Sequence, residues 1–315
     1  MSTRTRETGG GRAQVAAAPR LAAWPLALAG MSLAAVQAAR PRQWPKNLLV
    51  FAAPLAGATL GRHYGLVYAL VAFAAFTAAS SAVYLINDVM DTERDQLHPA
   101  KRQRAIASGR LPRTAAMALA AALLAFALAA SLTIGEPRLA GVIGAYVTVS
   151  LLYSLGLKHV PGAELAVVAL GFVLRAIGGA VATHVPPSAW FLTVCSLGAL
   201  MVAIGKRYTE LTVLGSGAVA HRPAMRWYRP RLLRAAERAV SAVMLVAYVL
   251  WALSEHDPWM RSWHLLSALP LAAALFRFNR LTDKSGDRPV EDLIARDPAM
   301  LCCELAWLTM FITGL

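Results

Sequence analysis

The sequence predicts an all-α integral membrane protein, and composition is the first reason. Of its 315 residues 57% are hydrophobic and only 15% are charged, whereas about a quarter of the residues in ordinary soluble domains are charged. The apolar residues also form continuous runs of membrane-spanning length, about 20 residues. They do not alternate with polar residues, as they do in the strands of a membrane barrel.

The apolar runs predict nine transmembrane helices. Glycine, proline or charged residues occupy every gap between the runs, and these residues end helices. The predicted spans cover about residues 47–61, 65–87, 113–134, 138–157, 163–183, 188–206, 236–253, 262–280 and 298–315.

The distribution of positive charge predicts the orientation of the chain. The segments on one side of the nine spans hold 27 of the 31 Lys and Arg residues. Arg62, Arg138 and Arg261 fall on the other side, and Arg175 falls within a span. The positive-inside rule therefore places the N-terminus in the cytoplasm and the C-terminus outside. Because the net charge of +14 resides in these loops, we expect a membrane and no nucleic acid as partner.

Two segments precede the first predicted span. Residues 1–20, rich in Arg, Gly and Ala, predict a disordered basic tail, and residues 21–315 a single transmembrane catalytic domain. Residues 21–39 are uncharged and long enough to span, but a span here would place basic residues on both sides. A helix lying at the membrane surface is the preferred interpretation. A spanning helix and a cleaved signal peptide stay open as alternatives.

An acidic ladder lies in the stretch "YLINDVMDTERDQLHPAKRQR". Asn87, Asp91 and Asp95 are four residues apart, so on a helix they share one face, with Asp88 beside them. Like charges at this spacing repel each other by about 0.2–0.5 kcal/mol per pair, and a bound cation removes that conflict. Hard oxygen ligands suit Mg²⁺ that holds a phosphate-bearing substrate. We therefore predict four magnesium ligands in the ladder, and its three aspartates as catalytic residues.

A basic run follows the ladder directly. It contains His98, Lys101, Arg102 and Arg104. Part of it is the positive charge expected at any cytoplasmic membrane edge. Phosphate groups, however, need cationic partners as well as metal. We therefore predict that this run binds phosphate.

These motifs resemble a known family. "NDVMDTERD" matches the NDxxDxxxD motif of the UbiA superfamily of intramembrane prenyltransferases, and nine helices suit that fold. Five blocks together are similar to one branch of the superfamily, which transfers phosphoribose to decaprenyl phosphate. They read "RPRQWPKNLLVFAAPL", "NDVMDTERDQLHPAKRQRAIASG", "YSLGLKHV", "ELAVVALGFVLRAIGGAVA" and "GKRYTEL".

The resemblance implies an activity and a location. The donor would be 5-phosphoribosyl 1-diphosphate, the acceptor a polyprenyl phosphate such as decaprenyl phosphate, and the cofactor Mg²⁺. The product would be the lipid-linked pentose precursor of cell-wall arabinan, as in arabinogalactan and lipoarabinomannan. The enzyme would be a multi-pass protein of the plasma membrane whose active site faces the cytoplasm. The oligomeric state stays open.

One block separates the branch from other members of the superfamily. Those members carry a second Asp-rich motif in the loop after span six, where this chain has "GKRYTELTVLG". Lys206, Arg207 and Glu210 cannot repeat the work of an aspartate pair, but the two cations suit direct binding of phosphate oxygens. The alternative is a UbiA-type prenyltransferase that moves an isoprenoid from its diphosphate to an aromatic or other acceptor. A transporter is a weaker alternative.

Further polar residues complete the predicted substrate site. Glu164 and Arg175 are eleven residues apart on one predicted helix face, and their partners stay open. Acidic residues of the last loop lack ladder spacing, so we interpret them as solvated: Asp283, Asp287, Glu291, Asp292 and Asp297. The predicted substrate-binding residues are Lys46, Asn47, Lys101, Arg102, Arg104, Tyr153, Lys158, Lys206, Arg207 and Glu210.

Overall fold

The computed structural model describes most of the chain. The described residues are 24–62, 64–99, 101–214, 223–283 and 294–315. Within these ranges the structure is helical and contains no strand. The predicted tail at residues 1–20 lies outside the described residues, as do three of the acidic residues predicted to be solvated, Asp287, Glu291 and Asp292.

Six described helices are long and apolar enough to cross a membrane. They are α3 (Gly65–Met90), α5 (Arg113–Thr133), α6 (Pro137–Leu155), α7 (Ala163–Ala182), α8 (Ala189–Leu214) and α9 (Pro230–Ser254). Two further helices follow. The first, α10 (Pro258–Asp283), has 26 residues but is more polar, and α11 (Pro298–Thr313) is apolar but shorter.

The segment before α3 differs from the predicted first span at 47–61. Helix α1 (Trp24–Ala38) is followed by a 3₁₀ helix over Pro41–Phe51 and by the five-residue α2 (Ala52–Ala56). Prolines at 41, 45 and 54 lack the N–H donor of an α-helix, which explains the interruption. A 3₁₀ helix rises about 2.0 Å per residue against about 1.5 Å in an α-helix. At these rises the helical lengths of Pro41–Phe51 and Ala52–Ala56 add up to about 30 Å.

The N-terminal part of the bundle is built around α3. Helix α3 packs against α5, α6 and α7, and Phe76 is fully buried among their side chains. Two glycines of α7 permit this close approach. A Cβ on Gly179 would lie 1.7 Å from the carbonyl oxygen of Val50, and one on Gly178 would lie 2.2 Å from the Phe76 ring. The two glycines thus allow both the 3₁₀ segment and α3 to pack closely against α7.

The C-terminal part is formed by α8 to α11. Phe278 and Met300 are buried in one of its clusters, and Tyr248 and Phe311 in another. Helices α7 and α8 pack together and join the two parts.

Helix α8 runs eight residues beyond the predicted end of span six at residue 206. Lys206, Arg207 and Glu210 therefore lie on a helix and not in the predicted loop. Arg207 and Glu210 form an ion pair at i,i+3 spacing, which supports the helix where it leaves the apolar region. The helix end was misplaced because hydropathy falls before the helix ends.

The short elements complete the polar end of the bundle. They are α4 (Thr92–Leu97) and 3₁₀ turns at Lys101–Gln103, Leu157–His159 and Pro223–Trp227. At this end, segments that are distant in the sequence contact each other. The Lys158 Nζ lies 4.0 Å from an Asp91 carboxylate oxygen, and the Gly162 N–H donates to the Tyr228 hydroxyl at 2.7 Å.

Candidate active site at the polar end of the bundle

The acidic ladder crosses the junction between α3 and α4. Helix α3 ends at Met90, and Asp91 links it to α4. The Asp91 N–H donates to the Asn87 carbonyl at 2.9 Å, and the Asp95 N–H to the Asp91 carbonyl at 2.8 Å. These bonds keep one helical turn of backbone between successive members despite the change of helix.

Two arginines hold the buried members of the ladder. Arg104 Nη1 donates to Asp88 at 3.1 Å and to Asp95 at 2.7 Å. Arg40 Nη2 donates to Asp88 at 2.5 Å. The side chains of Asp88 and Asp95 are only 6% and 4% exposed. Each therefore has a cationic partner that offsets the cost of burying its charge.

Arg40 is a site residue that the sequence interpretation missed. Its guanidinium lies 4.8 Å from the centre of the Tyr84 ring, and its backbone has φ 54° and ψ 64°. A residue before proline usually adopts an extended conformation, and the left-handed region costs about 1–2 kcal/mol for a residue other than glycine. In the sequence, only the family-like "RPRQW" block that contains Arg40 pointed to a role for this residue. Nothing in the neighbouring residues predicts the contact between Arg40 and Asp88.

The remaining ladder groups decide whether a metal ion fits. The Asn87 Oδ1 is buried and has no hydrogen-bond partner among the described residues. The Asp91 side chain is 34% exposed, and its nearest cations are Lys158 at 4.0 Å and Arg94 at 3.9 Å. Within the described ranges no three acidic, His or Cys residues converge as a metal cluster. Magnesium is often held by one or two carboxylates plus substrate phosphates, and these residues fit that kind of site.

A second charged cluster is built around Arg207 on α8. Its Nε donates to Glu164 of α7 at 3.0 Å, its Nη2 to the hydroxyl of Tyr153 of α6 at 3.3 Å, and its Nη1 to Glu210. Arg207 is 2% exposed and Glu164 fully buried. Arg207 was predicted to bind phosphate oxygens directly. In the structure each of its three nitrogens has a protein partner, so its contact set ties α6, α7 and α8 together.

Asn47 is likewise engaged within the bundle. It is fully buried, donates to Thr77 at 3.1 Å, and accepts from Arg175 Nε at 2.7 Å. Arg175 also donates to the Tyr146 hydroxyl at 3.0 Å. The partner of Arg175, left open by its spacing from Glu164, is therefore Asn47 together with Tyr146. Asn47 links the 3₁₀ segment to α3 and α7.

The other predicted cations lie around the same end of the bundle. Lys101 and Arg102 are exposed on the 3₁₀ turn after α4, and the Lys101 N–H lies 3.4 Å from His98 Nδ1. Lys46 and Lys206 are half-buried and have protein partners. Lys101 and Arg102 thus follow the ladder directly along the chain, whereas Lys46 and Lys206 lie on other elements, the 3₁₀ segment and α8.

Asp283 was predicted to be solvated, and the structure corrects this. It accepts hydrogen bonds from Arg234 and, at 3.3 Å, from Tyr208. Arg234 also donates to the fully buried Glu237 at 2.8 Å. The i,i+3 spacing of Arg234 and Glu237 was the available signal. The cluster fastens the end of α10 to α8 and α9.

Asp297 is the other described residue of that loop, and it too is engaged. Arg277 donates to its two carboxylate oxygens at 2.9 and 2.7 Å. Asp297 also caps α11 by accepting from the Met300 N–H at 2.8 Å. The hydrogen bonds from Arg277 hold the pKa of the Asp297 carboxyl below its ordinary value. The prediction of a solvated carboxylate was wrong for two reasons. Arg277 comes close only in the folded bundle, and the local N-cap position of Asp297 before Pro298 was not considered.

A polar pocket of about 300 Å³ opens beside Asp88. It lies between α1 and the segment that follows α4. We call it the Arg40–Arg110 pocket. Its lining residues are Gln37, Ala38, Arg40, Asp88, Gln103, Arg104, Ala105 and Arg110.

The helical bundle with an aspartate ladder at one end is typical of the UbiA family of membrane-embedded transferases. The chain belongs to the UbiA prenyltransferase family, whose model matches residues 23–294. Among solved structures, a UbiA homolog from Archaeoglobus fulgidus bound to GPP and Mg²⁺ has a TM-score of 0.67 to this chain. That alignment covers 89% of this chain and 98% of the homolog at 16% identity. This likeness supports the fold.

Curated relatives narrow the comparison. The chain is 39% identical to the decaprenyl-phosphate phosphoribosyltransferase of Mycobacterium tuberculosis over 277 residues, 87% of this chain and 91% of the relative. It is 36% identical to the protein of that name from Corynebacterium glutamicum, over 86% of this chain and 83% of the relative. The resemblance to the UbiA superfamily and to its phosphoribosyltransferase branch, inferred from the motifs, is confirmed.

Proposed function

We propose that this enzyme transfers 5-phosphoribose from phosphoribosyl diphosphate to decaprenyl phosphate or a similar polyprenyl phosphate. The observation that carries the proposal is similarity to phosphoribosyltransferases over nearly the whole chain. The Arg207 cluster supports it. The block that replaces the second aspartate motif has one carboxylate, Glu210, and it is paired with Arg207, which also binds Glu164 of α7. The donor is then the water-soluble substrate, and the lipid is the acceptor.

The ladder would act at the leaving diphosphate. Breaking the C1–O bond places positive charge on the ribose and negative charge on the leaving group, and electrostatic stabilisation of such charge is a major source of catalysis. We assign Asn87 and Asp91 as the first magnesium ligands, with Asp88 and Asp95 as further ligands. Magnesium bound there supplies Lewis-acid stabilisation of diphosphate. Lys158, beside Asp91, would bind a diphosphate oxygen directly.

The acceptor needs little activation by the protein. A phosphate monoester has a second pKa of about 6, so most of it is dianionic at neutral pH. We therefore assign no general base. The residues of the site would align the acceptor with C1 and exclude water, which competes for the same carbon. A single displacement inverts C1, so an α-configured donor gives a β-linked product. Retained configuration in the product would contradict a single displacement.

The topology proposed from charge suits this chemistry. We propose nine spans in a single domain over 21–315, with a cytoplasmic N-terminus, α1 at the membrane surface and the active site facing the cytoplasm of the plasma membrane. The summed helical length of about 30 Å for residues 41–56 supports an additional span before α3. The exposed Leu33 and Val36 on α1 support contact with lipid. Cysteine accessibility at the two ends of α3 would test the orientation.

A transfer assay tests the function. Membranes containing the protein receive labelled phosphoribosyl diphosphate, Mg²⁺ and decaprenyl phosphate, and the lipid-extractable label is counted. We expect transfer that depends on the divalent cation and on the lipid phosphate. Transfer of an isoprenoid from its diphosphate to an aromatic acceptor, without phosphoribose transfer, would instead support the conventional prenyltransferase activity.

A further inference from the structure

We infer that the Arg40–Arg110 pocket binds the 5-phosphate of the sugar donor, with Arg40 and Arg110 as its ligands. The inference rests on the proposed function and deepens it, since it assigns the two charged ends of the donor to different residues. Neither arginine was among the predicted phosphate-binding residues.

The charge of the pocket matches a phosphate monoester. Its lining contains three guanidinium groups, those of Arg40, Arg104 and Arg110, and the single carboxylate of Asp88. Arg104 is also paired with Asp95, which lies outside the lining, so the cluster as a whole has a net charge of +1. A phosphate monoester carries about −1.5 to −2 at neutral pH, and the cluster therefore attracts it.

The two arginines are held in place over the pocket. Arg110 Nη1 donates to Gln37 Oε1 of α1 at 2.8 Å, and its Nη2 to the carbonyl of Gln103 at 2.8 Å. The left-handed backbone of Arg40 is of the kind that concentrates at ligand sites, and its side chain reaches Asp88.

The Arg110 Nε also donates to the Ser108 hydroxyl at 3.1 Å, so each nitrogen of this guanidinium has a protein partner, as in Arg207. A guanidinium has five N–H donors, so three contacts leave two N–H groups of Arg110 for phosphate oxygens. Phosphate can reach them because Arg110 is exposed, whereas Arg207 is only 2% exposed.

The pocket suits the sugar end of the donor better than the lipid acceptor. Only Ala38 and Ala105 supply an apolar lining, while Gln37 and Gln103 offer hydrogen bonds to hydroxyls. A volume of about 300 Å³ is at the lower end of the range for small-molecule sites. Asp91 and Lys158 do not line the pocket. The 5-phosphate would therefore lie on the Asp88 side of the ladder and the diphosphate on the Asp91 side.

A binding experiment tests the pocket without turnover. Ribose 5-phosphate is titrated by calorimetry into the full-length protein in nanodiscs, comparing wild type with Arg110→Gln. A charge-assisted hydrogen bond contributes enough that its loss weakens binding about tenfold or more. Arg113→Gln is the matched control, because Arg113 is a half-exposed arginine near Glu93 and outside the pocket lining. It should bind within about twofold of wild type.

Two results would overturn the inference. One is unchanged affinity for ribose 5-phosphate in Arg110→Gln. The other is weakened binding of farnesyl phosphate with ribose 5-phosphate unaffected, which would assign the pocket to the lipid phosphate.

A kinetic comparison separates this inference from the proposed function. The donor is supplied with and without its 5-phosphate, as phosphoribosyl diphosphate and ribose 1-diphosphate. Arg110→Gln should lower kcat/KM about tenfold or more for the first donor, mainly through KM, and leave the second unchanged. Equal losses on both donors would refute the assignment. If wild type transfers neither sugar, the proposed function fails. The calorimetric result alone then shows whether the Arg40–Arg110 pocket binds a sugar phosphate.

Discussion

The ladder and the Arg207 cluster combine the same residue types at the same end of the bundle, yet they differ in what they leave available. In the Arg207 cluster each guanidinium nitrogen has a partner on α6, α7 or α8. In the ladder the arginines engage Asp88 and Asp95, while Asn87 Oδ1 has no described partner and Asp91 is partly exposed. The charged groups of the Arg207 cluster hold helices together, whereas some polar groups of the ladder are available to a ligand.

The largest expected effect comes from Asp91→Asn in the ladder. It removes the ionised carboxylate that is most open to substrate, so we expect turnover to fall about 10²–10³-fold, as for loss of one electrostatic stabiliser. The melting temperature should change little, because Asp91 is 34% exposed and its ion pairs are long. Transfer assays on purified protein with matched melting curves measure both. Near-normal turnover would defeat the assignment of Asp91 as a metal ligand.

The Arg207 cluster should respond in the opposite way. Glu164→Leu leaves the buried Arg207 short of a carboxylate, and breaking a buried ion pair costs about 3–5 kcal/mol of stability. The double variant Glu164→Leu, Arg207→Met replaces the pair by apolar groups and should recover most of that loss. Thermal unfolding in detergent measures the stability. A stable double variant that no longer binds phosphoribosyl diphosphate would show that Arg207 contacts substrate.

Two asparagines give a matched test of the same contrast. Asn47→Ala removes the acceptor of Arg175, so we expect a loss of about 1–3 kcal/mol in stability and an unchanged KM for the donor. Asn87→Ala removes an oxygen without a described partner. We expect it to raise the magnesium concentration needed for half-maximal activity at least about tenfold, with little change in melting temperature. If Asn47→Ala instead raised the magnesium requirement and Asn87→Ala instead lowered the melting temperature, the structural role of Asn47 and the metal-binding role of Asn87 would be refuted.

The smallest expected effect is the pH dependence of the Asp297–Arg277 pair. The pKa of Asp297 is lowered by its hydrogen bonds from Arg277, so folding favours the ionised carboxylate. The stabilisation is present above the ordinary pKa of 3.8 and is lost as the pH falls through the lower folded pKa. Melting temperatures of wild type and Asp297→Asn should therefore converge at low pH. A constant difference across the titration would contradict this.

Much of the fold was accessible from the sequence. Apolar runs located the six long helices to within a few residues in most cases, because burial in lipid demands such runs regardless of partners. The exceptions were residues 41–56, where prolines produce a 3₁₀ helix, α8, which continues after its apolar run ends, and α9, which begins six residues before its predicted start. All three arise because backbone geometry is not set by hydropathy alone.

The sequence by itself determined the ladder, its one-turn spacing and the positive end of the bundle, since these follow from local periodicity and composition. Only the tertiary structure decided which charges pair. Asn47 and Arg175 are 128 residues apart, and Arg207 and Glu164 are 43 apart. Arg40 reaches Asp88 from 48 residues away. A buried charge must find a partner wherever the packing brings one within reach, and that reach is a property of the assembled helices.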